Sequence, residues 1–423
     1  MRMSRRPLIA ALLLLPGLAH LGPALAADTT VRLIHPDNDP QVVAVFNQAA
    51  RQFEASRPGV KIAVQYLEGE AYKKKITTLL QSPDRPHILY SWGGGVMRDQ
   101  VKAGVIEDLS PAMAAGWKER FIAPALQAYT VDGKVVGVPF QATQVGFWFN
   151  KDLFARAKVD ASAIKTWDDL LAAVKQLKAA GITPIALAGA DKWPVHYYWS
   201  KLAMRLGGRA PFEAALRGEG AGFEADTFVR AAAMTQQLAE LKPFQGGYLG
   251  ASFAQAAGQF GDGKAAMILM VDNIPGAMPP NSADKIGVPP AKLGWFAFPT
   301  VASGKGDAGD TLGGMNGFLV SKGAPKEAVD FLRFFSDISQ QRQAAEKGVY
   351  LPVVVGASDA LKDPALRLLA GNLARSKYHQ LYYDQELGAK AGAVFKDASV
   401  DLITGKLTPA AAAAAVHKAW KAR

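Results

Sequence analysis

Residues 31–90 alternate strand and helix patterns in an order that leaves few folds open. The run VRLI at 31–34 is a short apolar strand. Within 40–56, Val42, Phe46, Ala49 and Phe53 recur at helical spacing on one face, and Pro58-Gly59 stops that helix. Val60, Ile62, Val64 and Tyr66 then alternate with other residues, the period of a strand. A helix over 70–80 and a strand over 87–90 complete β-α-β-α-β, the rhythm of a parallel sheet with helices on its faces. Such sheets bind ligands beyond the carboxyl ends of their strands. Glu68 follows the second strand, and Ser91-Trp92-Gly93-Gly94-Gly95 follows the third. Glycines there let a backbone approach a ligand and place N–H groups at the start of the next helix.

A second informative stretch is 131–154, VDGKVVGVPFQATQVGFWFNKDLF. Asp132-Gly133 is a turn dipeptide. Val135, Val136 and Val138 form a β-branched run, and Pro139, with no N–H to donate, is expected to end its ladder. A further strand over 145–149 follows the polar break at 141–144, and Asn150 with Asp152 marks the start of a helix. Beyond it, Thr166 caps a helix through Ala180 that Gly181 ends, and 183–187 is a strand. Four aromatics and one histidine fall in 191–199, DKWPVHYYW; nearest the strand end are Asp191, Trp193 and His196. A lone histidine among aromatics is more often packed than ligand-binding.

Helices are expected over 227–241 and 252–260 and a strand over 265–271, with Asp272-Asn273 at its end. Residues 258–265 nearly match a phosphate loop. Ala265 stands where a metal-binding hydroxyl belongs, however, and the context is helix, turn, strand rather than strand, loop, helix. Strands over 293–298 and 318–321 flank Gly313-Gly314-Met315-Asn316-Gly317, and one long helix is expected over 325–347. Tyr350-Leu351-Pro352, the run LYYDQEL at 381–387 and two Ala-rich helices separated by Gly405 finish the chain.

The first 27 residues stand apart. Arg2, Arg5 and Arg6 precede an apolar run at 8–15 that Pro16-Gly17 interrupts, and Ala24-Leu25-Ala26 is a small-residue cleavage pattern. This is a secretory signal peptide, cleaved near Ala26/Ala27, too short to span a bilayer; Ser4-Arg5-Arg6 also admits twin-arginine export. There is no cysteine, which excludes a lipidated cysteine at the cleavage site and points to the periplasm. The net charge of +11 includes the three leader arginines, and the remaining basic residues are scattered. No basic run alternates with aromatics, so no nucleic-acid partner is expected.

The strand-end Trp92-Gly93-Gly94, the D-G-K of 132–134 with N-K-D-L-F at 150–154, G-K-A-A at 263–266, G-G-x-x-G at 313–317 and Y-L-P at 350–352 follow one another in fixed order. In that order the chain resembles the family 1 extracellular solute-binding proteins of carbohydrate ABC importers. Two positions depart from the family pattern: Phe149 replaces a usual Tyr, and His87 a usual Asp. The resemblance implies an α/β, two-lobed periplasmic-binding-protein fold of type II, with a ligand cleft between the lobes and multiple hinge crossings. The lobes would be 28–141 with 312–352 and 142–311 with 353–423. It also implies a carbohydrate ligand, a membrane permease as partner, a monomer, no cofactor, no metal and no catalysis.

On that reading Trp92 and Trp193 stack on pyranose faces, since an indole offers a flat apolar face with a polar edge. Glu68, Asp191, His196, Asp272, Asn316 and Asp384 face hydroxyls, and Gly93 and Gly314 supply backbone N–H groups. Gln141, Thr143, Tyr350 and Gln385 line the hinge side by analogy. Two alternatives stay open. A secreted glycoside hydrolase would draw a carboxylate pair from Glu68, Asp272, Asp384 and Glu386. A binding protein for a glycerol phosphodiester would use a cation such as Arg98.

Overall fold

The computed structural model describes residues 29–422, so the expected signal peptide and its cleavage point lie outside the described residues. Two sheets organise the chain. The first has six strands in the order Leu351–Pro352, Gly137–Ala142, Met315–Val320, Ile88–Ser91, Thr29–His35, Val60–Tyr66. The last three run parallel, as the β-α-β-α-β pattern requires, and Met315–Val320 joins them antiparallel. The second sheet has the order Leu293–Phe296, Gly146–Asn150, Met267–Met270, Ile185–Ala186. Each sheet and its helices form one lobe.

Local chemistry sets the element ends. Asp39 caps the helix Pro40–Ser56 by accepting from the Gln41 N–H, and Pro40 stands where no N–H is needed. Reciprocal capping boxes start Trp167–Ala179, through Thr166 and Asp169, and Phe253–Gly261, through Ser252 and Gln255. Asp132 and Gly133, both at positive φ, close the hairpin joining Thr130–Val131 to Lys134–Val135. The first lobe's core is a ring cluster: Phe140 stacks on Phe318 at 5.0 Å, with Phe46 and Phe335 edge-on to both. In the second lobe Phe147 stacks on Phe296 and Phe298, and Phe298 on Trp167.

The lobes are joined by chain passes that bind one another. At the first pass Thr143 N–H donates to Gly314 O at 2.9 Å and Val145 N–H to Leu312 O at 2.8 Å. At the last, His379–Leu381 pairs in parallel with Thr311–Gly313.

Three sequence expectations are corrected. Pro139 does not end its strand, which continues through Ala142; the ladder bulges beside it, where the register shifts between Asn316 and Gly317, so its missing N–H leaves the pairing intact. The single helix over 325–347 is two, Lys326–Phe335 and Ile338–Glu346, because the Ser336 hydroxyl bonds back to Leu332 O and Asp337 caps the second. Residues 353–375 were expected with the second lobe but pack on the first. Val353 O accepts from Ile122 N–H, Val355 N–H donates to Arg120 O, and Pro364–Arg375 lies against Leu351–Pro352. The final pass is therefore 376–381, not Tyr350-Leu351-Pro352.

Candidate functional site

A cleft of about 400 Å³ lies between the lobes. The first lobe builds its wall from the ends of three parallel strands: Asp37 and Asp39 after Thr29–His35, Glu68 after Val60–Tyr66, and Trp92 after Ile88–Ser91. Gln141 and Asn316 join them from the antiparallel pair, where the Asn316 amide donates to Gln141 Oε1 at 3.3 Å. Asn316 is 6% exposed, and its Oδ1 has no hydrogen-bond partner among the described residues. The second lobe supplies Asp191, Trp193 and His196 after Ile185–Ala186, Phe253 at the start of its helix, and Asp384 with Gln385 from the turn Tyr383–Glu386.

The two tryptophans come from opposite lobes and are both half-buried. Trp92 meets Tyr72 and Tyr90 at 78° and 65°, and Lys73 sits 5.2 Å from its ring centre. Trp193 meets Tyr197 and Phe253 at 62° and 52°. No ring stacks parallel on either among the described residues. Glu68 accepts from the Glu70 and Ala71 N–H groups as a helix cap, and Asp191 Oδ2 accepts from the Phe253 N–H at 2.6 Å. Both carboxylates are thus held in place by backbone at the cleft wall.

His196 is fully buried. Its Nδ1 lies 3.1 Å from the Ser200 hydroxyl and its Nε2 3.2 Å from Asp384 Oδ1. Burial alone would raise the Asp384 pKa; its pairing with His196, helped by Lys73 and Lys396, overrides this and holds the carboxyl well below its usual range. At the crossing, Thr143 Oγ1 is 2.6 Å from the Tyr382 hydroxyl and accepts from Gly314 N–H at 2.6 Å.

Ten of the expected site residues therefore line one cleft: Glu68, Trp92, Gln141, Thr143, Asp191, Trp193, His196, Asn316, Asp384 and Gln385. Four do not. Gly93 N–H donates to Ser91 Oγ, and Gly314 N–H to Thr143, so neither is free for a ligand. Tyr350 is buried against Phe140, with its hydroxyl accepting from Gln341. Asp272 borders a separate hollow and ties the crossing by accepting from Gln144 N–H at 3.0 Å; burial pushes its pKa up to about 7. Glu386 also lies off the cleft lining and pairs with Arg98 at 2.5 Å, which occupies the cation expected for a phosphate ligand. Among the described residues no group of three or more His, Asp or Glu is arranged to hold a metal ion.

Asn273, at the strand end marked with Asp272, lines the cleft, whereas sequence reading missed Asp37, Asp39, Lys73, Tyr197, Phe253 and Tyr382, all of which line it too. The strand-end rule would have found the first two, since they follow the first parallel strand as Glu68 follows the second. No sequence signal marks the others.

A model of the bacterial extracellular solute-binding proteins matches residues 37–342. An uncharacterized ABC transporter extracellular-binding protein of Pyrococcus horikoshii is 26% identical over 178 residues, 41% of this chain and 40% of that protein. The chain thus aligns with less than half the length of this curated relative. A solved chitin oligosaccharide binding protein is similar across 94% of this chain and 99% of its own, with TM-score 0.85 and 25% identity. A structure from work on xylan utilization by Caldanaerobius polysaccharolyticus is similar over 92% and 99%, with TM-score 0.84 and 25% identity. Among the described residues no helix is long and apolar enough to cross a membrane.

Proposed function

The chain belongs to the bacterial extracellular solute-binding proteins, and from that premise we propose that it binds a mono- or oligosaccharide and delivers it to an ABC transporter permease. The lobes close on the sugar about the crossings at 143–145, 312–314 and 376–381, a hinge motion of known type. The observation that carries the reading is the pair Trp92 and Trp193, one from each lobe, facing one cleft whose remaining lining is rich in hydrogen-bond acceptors. A sugar needs both: apolar planes for its C–H faces and acceptors for its hydroxyls. The names of the chitin oligosaccharide and xylan-related neighbours support the same class of ligand. The protein works as a monomer in the periplasm after loss of its signal peptide, without a lipid anchor, and holds its ligand without altering it.

A thermal-shift panel of mono- and oligosaccharides tests the proposal. A bound sugar at a hundred times its Kd stabilises by about 2.7 kcal/mol. Trp92→Ala abolishes that shift while the apo protein still unfolds cooperatively; a ligand shift that survives the substitution removes Trp92 from the site. Steady cleavage of any oligosaccharide at catalytic protein concentration would overturn the binding-only reading.

A further inference from the structure

The chain is basic overall, at +11, yet six carboxylates line its cleft: Asp37, Asp39, Glu68, Glu70, Asp191 and Asp384. Lys73 is the single lysine or arginine in that lining. Two of the six have partners, Glu70 in Lys73 at 2.9 Å and Lys396 at 3.4 Å, and Asp384 in His196 Nε2 at 3.2 Å. The other four have no ion-pair partner among the described residues. Asp37 accepts from Asp39 N–H, Asp39 from Gln41 N–H, Glu68 from its own helix start and Asp191 from Phe253 N–H.

Asp37, Asp39 and Glu68 come from the first lobe and Asp191 from the second, and all four line the same cleft. Burial raises the Asp191 pKa first, and the Glu70 and Glu68 carboxylates across the cleft raise it further. Burial pushes Asp37 up to about 7 against the Asp39 N–H that holds it down, and raises Asp39 as well. A neutral sugar gives such carboxylates hydroxyl donors but leaves their like charges facing each other as water is excluded. An ammonium group supplies donors and removes the repulsion together. Asn316 lines the same cleft, and its buried Oδ1 has no hydrogen-bond partner among the described residues.

Resting on the carbohydrate reading above, we propose that the ligand is a sugar bearing a protonated amine, an amino sugar or an oligosaccharide containing one. The carboxylates Asp37, Asp39, Glu68 and Asp191 select the charge while Trp92 and Trp193 hold the ring faces. An anionic solute is disfavoured by the same array.

The test is calorimetric titration of the mature protein with glucosamine and its short oligomers, the N-acetylated counterparts, the matching glucose series, and spermidine. The amines are expected to bind roughly tenfold to a hundredfold tighter than the acetylated and neutral sugars, the span of one charge-assisted contact. Their affinity falls as salt is raised, and Asp191→Asn, which keeps an acceptor for Phe253 N–H, removes most of the preference. Equal or tighter binding of neutral sugars overturns this inference and leaves the sugar reading standing. Spermidine binding with no sugar bound overturns both. Failure of every amine to bind overturns this inference without recourse to any variant.

Discussion

Asp272→Asn isolates a single ionisation. The Asp272 side chain is 3% exposed and accepts a hydrogen bond from Gln144 N–H, at the point where the chain crosses between lobes. Burial lifts its pKa from 3.8 to about 7. Between these values the unfolded chain has lost the proton and the folded protein keeps it, so folding takes up a proton and stability falls as pH rises. Stability from this group is complete below the unfolded pKa and is lost as pH climbs to the folded one. Each pH unit costs about 1.4 kcal/mol, so the two units from pH 5 to pH 7 cost roughly 3 kcal/mol, and above 7 the curve is flat. Asparagine cannot ionise and still accepts from Gln144. The difference in stability between variant and wild type therefore moves by about 3 kcal/mol in the variant's favour between pH 5 and pH 8. That is roughly 6–12 °C in Tm for lobes of this size. Comparing two pH values cancels any constant cost of the substitution. Thermal unfolding of both proteins at pH 5 and pH 8 is the assay. A difference that does not change with pH, or changes against the variant, refutes the assignment of a buried, proton-holding carboxyl at 272.

Asp384→Asn is expected to act in the opposite pH direction: it costs roughly 3 kcal/mol at pH 7 by leaving the buried His196 Nε2 without its carboxylate partner. Because the Asp384 pKa is lowered, that cost is fully present above the unfolded carboxyl pKa and fades as pH falls below it toward the depressed value, so the gap between variant and wild type narrows in urea unfolding as pH is stepped from 7 down to 2. Arg205, 2% exposed, donates to Asp307 O, Asp310 O and Phe298 O and so pins the 298–310 loop; Arg205→Met destabilises by about 2–4 kcal/mol in urea unfolding at neutral pH. A Cβ on Gly95 would stand 2.4 Å from Glu386 O, so Gly95→Ala holds the lobes apart there; a larger radius of gyration by solution scattering and weaker ligand binding are expected, with little change in apo Tm.

The elements of the first lobe were legible because each is decided locally. The helix at 40–56 shows its face through Val42, Phe46 and Phe53, and the strand at 60–66 alternates; both match the observed bounds Pro40–Ser56 and Val60–Tyr66. What failed was decided by distant partners. Pro139 reads as a strand end until the bulge against Asn316 and Gly317 is known. Residues 353–375 read as second-lobe chain until Val353 and Val355 are seen bonded to Ile122 and Arg120. Serine and aspartate at 336–337 do carry a local cap signal, which a reading drawn from the apolar side Ala328, Phe331, Leu332 and Phe335 ran past.

The cleft shows the same division between local and distant causes, with a consequence for charge. Strand ends nominate Glu68 and Trp92 from one lobe alone, because a parallel sheet delivers every carboxyl end to the same side. Asp384 and Gln385 reach the cleft by another route: the turn holding them is positioned by the pairing of His379–Leu381 with Thr311–Gly313, which brings the last pass over from the first lobe. Net charge belongs to the whole surface and says nothing of a concavity that two lobes share. A chain of +11 can therefore hold an acidic cleft, since lysines and arginines spread over the exterior are screened by solvent while Glu68 and Asp191 act on each other across the cleft. That opposition gives the open-to-closed equilibrium its own electrostatic term. On the proposed reading, closure without ligand would bring like charges together and bias the empty protein open, and an amine-bearing ligand would be favoured twice, once by its contacts and once by the repulsion it removes.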